Sequence, residues 1–350
     1  MTERFRELDG LRGLAAVAVV LSHLTTGYDS KYPDAPRTPF DAGWGAYGVQ
    51  LFFMISGFVI LMTAQRARRP SDFVVSRLSR LYPAYWIALT MSIILSVAFA
   101  VPHTDIGWTN RLLNYVMVQR WFLVPNVDEV YWTLAIEMQF YVLMFLLLVA
   151  TRCRVTPRVV AWASGVWVAV ALAVAVWAGP ASRGINPQYV DTPVKVVLNV
   201  VLAEWAPLFA AGMLAYLARS DRRFWLPAVG TGLLGALAAG ILHDWAQAAI
   251  VAGVVLGFFA VASRRTTPVL LLPPLQWYGK ISYSLYIGHL IPSTIAMHLL
   301  IPLVGRWAAT GITFVVVTLI AWGLHRLGED YLSRRFKNVL KGWQKTVTAR

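Results

Sequence analysis

The chain has 350 residues, of which 58% are hydrophobic and only 14% are charged, and its mean hydropathy is +0.58. A soluble fold cannot bury that much apolar surface, so the composition excludes an ordinary soluble protein and favours helices in a bilayer. The net charge of +14 would suggest a nucleic-acid partner in a soluble protein, but the arginines cluster between apolar runs, so we expect no nucleic acid.

Ten apolar segments are long enough to cross a membrane, which predicts an all-α polytopic membrane protein of about ten transmembrane helices. They run approximately over 11–27, 44–64, 81–101, 131–150, 159–178, 195–217, 225–242, 245–263, 281–304 and 306–325. The stretch 112–124 is shorter and contains Arg120, so we expect it to be interfacial or re-entrant.

Most arginines fall in every second connection between the predicted spans. Because arginine-rich connections stay in the cytoplasm, this pattern predicts that both termini lie there. These connections are 65–80, 151–158, 218–224 and 264–280, together with the tail after 326. We therefore divide the chain into a transmembrane domain, 1–326, and a basic cytoplasmic tail, 327–350.

The charged N-terminus leads into the first span without a small-residue cleavage site, so we expect it to be retained. Cys153 is the only cysteine, which rules out an intrachain disulfide.

Ionisable side chains inside spans are costly and are therefore functional candidates. Arg12 and His23 are eleven residues apart in the first span, which places them about 16 Å apart on nearly the same helix face. Glu137 lies about two turns into the fourth span, at a depth similar to that of His23. A carboxylate there would orient the imidazole and raise its basicity, as a general base requires, although both groups would also suit structural hydrogen bonds. Glu204 lies near mid-membrane with no evident partner.

Two further polar patterns stand out. Arg77 and Arg80 precede the third span and predict adjacent guanidinium groups at a helix start, which suits phosphate. The ninth span carries a polar face that lines either a cavity or a helix contact, formed by Ser282, Ser284, Tyr286 and His289. The run from Phe52 to Phe58 contains Ser56 and Gly57, and predicts close approach of a helix or a ligand chain.

Taken in order, these motifs resemble the acyltransferase-3 family of membrane O-acyltransferases over nearly the whole chain. The motifs are LeuAspGlyLeuArgGly with Arg12 and His23 as R-x10-H, PheMetIleSerGlyPhe, the Arg77 to Arg80 R-x-x-R, TrpThrLeuAlaIleGlu, and IleSerTyrSerLeuTyr with His289. Thr133 stands where many members have serine and keeps the hydroxyl. We expect the stand-alone form, without an esterase-like domain.

The resemblance implies that His23 is the catalytic base and that Glu137 supports it. It implies that Arg12, Arg77 and Arg80 bind acyl-coenzyme A, with acetyl-coenzyme A as the default donor, and we expect Ser282, Tyr286 and His289 to contact that donor. No metal is required. The expected acceptor is a hydroxyl of a glycan, a lipid-linked sugar or a glycosylated small molecule, and the expected location is the bacterial cytoplasmic (inner) membrane, in contact with its lipids. Direct transfer, a covalent acyl-histidine and the oligomeric state stay open.

Two other interpretations explain part of the pattern. A proton-coupled secondary transporter would also bury histidine and glutamate, although the two halves show no internal repeat. A purely structural role explains the hydropathy but gives no reason for the placement of His23, Glu137 and the arginines.

Overall fold

The computed structural model of the chain describes residues 5–38, 40–102, 104–182, 192–264 and 267–348, and within these ranges every regular element is helical. The first four residues of the predicted transmembrane domain and the last two residues of the predicted tail lie outside these ranges. The α-helices are α1 (Arg6–Ser22), α2 (Tyr28–Lys31), α3 (Gly48–Arg66), α4 (Pro70–Ala98), α5 (Gly107–Leu113), α6 (Trp132–Ala150), α7 (Pro157–Ser182), α8 (Pro193–Val201), α9 (Ala206–Ala218), α10 (Trp225–Leu242), α11 (Trp245–Ala262), α12 (Pro273–Gly288), α13 (Leu290–Leu324) and α14 (Ser333–Thr348).

Nine helical stretches of the described residues are long and apolar enough to cross a membrane, which confirms the polytopic all-α class. The last stretch, Leu290–Gln344, is 55 residues long and contains the predicted span 306–325 and the larger part of 281–304. Gly305 separates them, because its backbone there is non-helical, with φ 75° and ψ 166°. The predicted division between 304 and 306 therefore coincides with a kink. The stretch 112–124 forms only short helical turns, as expected for a segment that does not span.

The predicted start of the third span is wrong by about three turns, because α4 begins at Pro70 and not near 81. Proline is well suited to the first position of a helix. The negative charge of Asp72 in the first turn interacts favourably with the positive end of the helix dipole. Charged residues lower the local hydropathy without interrupting the helix. Arg77 and Arg80 therefore lie inside α4 and not at its start.

The chain divides into two compact units. The first unit comprises Met1–Leu11, Val49–Pro70 and Ile136–Leu272. Its central helix is α9, where every residue except Tyr216 is buried. Helix α3 approaches α9 closely at two glycines: a methyl group on Gly57 would overlap the carbonyl of Phe209, and one on Gly212 would overlap the carbonyl of Met54. The close approach predicted around Ser56 and Gly57 is thus a helix contact.

The second unit comprises Arg12–Gly48, Ser71–Ala135 and Pro273–Arg350. Helix α12 is fully buried from Ile281 onward. It packs on α1, where a methyl group on Gly13 would overlap the carbonyl of Leu275, and on α4, where the Tyr283 hydroxyl donates to the Leu81 carbonyl at 3.0 Å.

The tail also belongs to this second unit and is helical. The boundary proposed at 326/327 falls within a π-helix, His325–Leu332. Helix α14 follows it, and Phe336 packs edge-on against Trp86 of α4 at 5.4 Å between ring centroids.

The contact between α3 and α9 leads to a stability prediction. We expect Gly212→Ala to lower the stability of the protein by about 1–3 kcal/mol, because the added methyl group forces apart two helices already in backbone contact. The matched control is Gly253→Ala on α11, where nothing lies within 4 Å of the added methyl group. Thermal melting in nanodiscs compares the two variants, and equal melting temperatures would contradict the packing described here.

Candidate functional site

His23 begins a π-helical turn, His23–Gly27, directly after α1. Such turns are uncommon and are frequent at functional sites. The Nδ1 atom of His23 lies 2.9 Å from the carbonyl oxygen of Val19 and 3.3 Å from the Nε2 atom of His289. The two imidazole rings meet at 5.1 Å between centroids, with their planes inclined by 62°. His23 is therefore half-buried and held from two sides within the second unit.

His289 occupies the break between α12 and α13 and is completely buried. Its Nδ1 atom faces two main-chain carbonyls, of Tyr286 at 2.8 Å and of Leu285 at 3.2 Å. Carbonyl oxygens only accept hydrogen bonds, so the proton of the neutral ring is on Nδ1 and Nε2 carries a lone pair.

The same reasoning assigns the proton of His23. Its Nδ1 faces the Val19 carbonyl and the lone pair of His289 Nε2, and both are acceptors. The proton of neutral His23 therefore resides on Nδ1, which donates to both. No described residue bonds to its Nε2, so that nitrogen has a lone pair available to accept a proton.

Glu137 belongs to the first unit, and its described partners are in that unit. The hydroxyls of Ser56 and Tyr141 donate to its Oε1 at 2.7 and 2.6 Å. One carboxylate oxygen therefore accepts two hydrogen bonds. The pairing of Glu137 with His23 stays a prediction.

All the other predicted site residues fall in the second unit, with His23. Arg77 is buried on α4 and its Nη2 lies 3.2 Å from the Ser76 hydroxyl, while Arg80, one turn later, and Arg12 on α1 are partly exposed. The structure thus places the three arginines in the same compact unit as the candidate base.

The polar face of α12 is buried in helix contacts. The hydroxyl of Ser282 donates back to the Gly279 carbonyl at 2.9 Å, and that of Tyr286 accepts from Thr133 at 2.9 Å. Ser284 donates to Glu329 at 2.6 Å. Tyr286 and Ser284 thus take part in contacts with other elements, one of the two roles predicted for this face, while Ser282 bonds within its own helix.

Glu204 has a partner that the sequence did not reveal. The Nε2 atom of His243, which follows α10, lies 3.2 Å from its carboxylate. This hydrogen bond raises the pKa of His243. Glu204 is thereby satisfied within the first unit.

Sequence reasoning also missed two buried charges in the second unit. Asp128 is 1% exposed and precedes α6, and its Oδ1 accepts from the Val130 N–H at 3.1 Å. Arg306 follows the Gly305 kink and contacts the π-turn that begins at His23. Arg306 is the first residue of the predicted span 306–325, and because arginine is common at the end of a span, the sequence pattern did not single it out. In the part of the chain that the structure describes, no group of three or more His, Cys, Asp or Glu side chains is arranged to hold a metal ion.

Comparison with known proteins gives a consistent result. The model of the acyltransferase-3 family, described as an acyltransferase domain, matches residues 5–326. The membrane-bound transacylase BcsY of Komagataeibacter xylinus is 28% identical over 95% of this chain and 84% of its own length. The exopolysaccharide production protein ExoZ of Rhizobium meliloti is 27% identical over 70% of this chain and 75% of its own. The peptidoglycan O-acetyltransferase OatA of Listeria monocytogenes is 29% identical over 39% and 23%. No solved structure matches the chain.

The burial of Asp128 leads to a prediction about stability and pH. Burial raises the pKa of Asp128 to about 7, with Glu129 adding to the effect and the N–H groups of Val130 and Ile291 and the charge of Lys31 opposing it. Because the folded-state pKa lies above the unfolded value of 3.8, the stability that this group contributes at low pH is lost as the pH rises through 7.

We therefore expect Asp128→Asn, which cannot ionise, to flatten the fall in melting temperature of the protein between about pH 4 and 7, the interval between the unfolded and folded pKa values. Asp34→Asn, at an exposed aspartate of the same unit, serves as the control and should leave the curve unchanged. If the melting temperatures of the Asp128→Asn variant and the wild type fell in parallel as the pH rose, Asp128 would not take up a proton on folding.

Proposed function

Because the chain belongs to the acyltransferase-3 family and is a multi-pass membrane enzyme that transfers acyl groups, we propose that it uses acyl-coenzyme A as the donor and His23 as the general base. The acceptor in this proposal is a hydroxyl of a glycan, a lipid-linked sugar or a glycosylated small molecule. Family membership sets aside the transporter interpretation. The relatives support a membrane O-acyltransferase, one of them being named a peptidoglycan O-acetyltransferase.

The single observation that carries the proposal is the pair of contacts of His23 Nδ1, which lies 2.9 Å from the Val19 carbonyl oxygen and 3.3 Å from the Nε2 of His289. A general base needs a lone pair directed at its substrate, and the contacts of Nδ1 with Val19 and His289 leave Nε2 to supply it. In the proposed reaction, Nε2 takes the proton of the acceptor hydroxyl while the oxygen attacks the thioester carbonyl. The carbon–sulfur bond then breaks, and the imidazolium gives its proton to the departing coenzyme A thiolate, which restores neutral His23. Nδ1–H, meanwhile, stays hydrogen-bonded, which keeps the ring in one orientation.

His289 has a more specific role in this proposal than contact with the donor. Its Nε2 lone pair accepts from His23 and becomes a partner for the imidazolium that forms. Glu137 remains the candidate for electrostatic support of that imidazolium. Its Oε1 accepts from the hydroxyls of Ser56 and Tyr141, which hold the carboxyl group in one orientation.

The donor site in this proposal is formed by Arg12, Arg77 and Arg80, and Ser282 and Tyr286 of α12 are its predicted further contacts. Guanidinium groups suit the phosphates of coenzyme A because their N–H donors match phosphate oxygens. Their presence in one compact unit with His23 supports a donor that spans from the arginines to the base. Acetyl is the default acyl group in this proposal.

The membrane orientation of the proposal follows from the arginine-rich connections. Both termini lie in the cytoplasm, where acyl-coenzyme A is available, and the enzyme resides in the inner membrane of a bacterium. His23 follows α1, and in this orientation it lies towards the outer side. The acceptor hydroxyl would therefore arrive from outside the cell or from within the outer leaflet.

The proposal is tested with membranes that contain the full-length protein and acetyl-coenzyme A labelled in the acetyl group. We expect the wild type to transfer label to cellular glycans or glycosylated metabolites, detected by mass spectrometry. His23→Ala should lower the rate about 10²–10⁴-fold, because the proton acceptor is lost. His23→Gln keeps a polar side chain at this position and should be equally inactive.

The matched control is His298→Ala, an exposed histidine of the same unit that should retain activity. Normal transfer by both His23 variants would contradict the assignment of the base. Transfer from a donor other than acyl-coenzyme A would contradict the assignment of the donor.

A further inference from the structure

The π-turn at His23 depends on a side chain from a distant part of the chain. The Nη2 atom of Arg306 donates to the carbonyl of Leu24, the residue after His23, at 2.9 Å. The same nitrogen donates to the carboxylate of Asp29 in α2, at 2.6 Å. One guanidinium therefore connects a residue inside the π-turn to a residue just beyond it.

A third contact fixes the plane of this guanidinium. It lies over the ring of Tyr28, 4.5 Å from the centroid, and Tyr28 is itself stacked on Tyr32 at 4.7 Å. The side chain of Arg306 is only 4% exposed and that of Asp29 19% exposed. A buried charge pair with an additional carbonyl acceptor has a defined geometry, because each lost contact would leave a polar group without a partner.

The backbone explains why Arg306 arrives at this place. Gly305 has φ 75°, a conformation that side-chain-bearing residues rarely adopt, and it ends the first part of α13. Arg306 is the next residue, and the second part of α13 continues from it. His289 precedes α13, so the segment 289–306 contacts the π-turn region twice, through His289 at His23 and through Arg306 at Leu24 and Asp29.

We propose that Arg306 is a positioning residue for the acyl transfer, which holds the π-turn through Leu24 and Asp29 and so fixes the direction of the His23 imidazole. The inference rests on the proposed function of His23 as base. A π-turn contains one residue more than the α-helical turn it replaces. If it relaxed, α1 and α2 would rotate relative to each other, and His23 would lose its alignment with the Val19 carbonyl and His289.

The test compares Arg306→Lys with Arg111→Lys in the full-length protein in nanodiscs. Lysine keeps the positive charge beside Asp29 but replaces the planar fork with a single ammonium group, so we expect the variant to fold. Arg111 is a matched control, since it is 7% exposed, lies 3.6 Å from Asp105 and covers the ring of Trp108 at 4.8 Å.

Hydrogen exchange measured by mass spectrometry over residues 20–32 reports on the π-turn without requiring activity. We expect Arg306→Lys to exchange faster there and Arg111→Lys to match the wild type. In the acetyl-transfer assay, Arg306→Lys should lower kcat by about 10²-fold, as a small misplacement of a reacting group does, and leave the KM for acetyl-coenzyme A unchanged. A lower kcat with an unchanged KM distinguishes positioning of the base from a general loss of structure.

Three outcomes would overturn the inference. The first is unchanged exchange over residues 20–32, and the second is a kcat equal to that of Arg111→Lys. The third is a rise in KM with unchanged kcat, which would make Arg306 a ligand contact. An inactive wild type would instead overturn the proposed function, and the positioning role with it, so the two failures are distinguishable.

Discussion

The Nδ1–H of His23 lies between two acceptors, the carbonyl of Val19 and the Nε2 of His289. This shared hydrogen bond determines which nitrogen of His23 is protonated, and therefore which one can act as a base. It depends in turn on His289, whose own proton is directed at two carbonyls of α12. A relay of main-chain carbonyls and one imidazole nitrogen thus determines which nitrogen of His23 carries the proton. The proposed reaction requires no other group to keep the ring in this tautomer.

The helices of the second unit are interrupted at the positions that this relay requires. A π-turn follows α1 at His23, and a break separates α12 from α13 at His289. Irregular backbone is tolerated in membranes only where other groups satisfy it, and here the Leu24 carbonyl is satisfied by Arg306. Glycine allows the necessary close packing, since a side chain at Gly13 would overlap the backbone of α12. Arginine and glycine at distant positions therefore support the geometry around one histidine.

Local sequence patterns predicted much of this protein. Hydropathy is a local property, so the spans and even the division at Gly305 were accessible, and the isolated charges identified His23 and Glu137 as polar groups within spans. The start of α4 was missed because hydropathy does not register a helix that carries arginines, and the Glu204–His243 bond was missed because it joins separate helices. The contact of His23 with His289 joins residues 266 positions apart, and that of the π-turn with Arg306 joins residues 282 positions apart, which no local pattern reveals. The sequence pattern indicated His289 only as part of a polar face, whereas its position next to His23 is visible only in the structure.

The central claim is that neutral His23 is protonated on Nδ1 and has a free lone pair on Nε2. Nitrogen-15 NMR of histidine-labelled protein in nanodiscs measures this directly, with the His23 signals assigned by comparison with His23→Gln. The account predicts a directly bonded proton on Nδ1 of His23 and none on Nε2. A proton on Nε2 with Nδ1 unprotonated would contradict it, because His23 could then not act as the base in the orientation described.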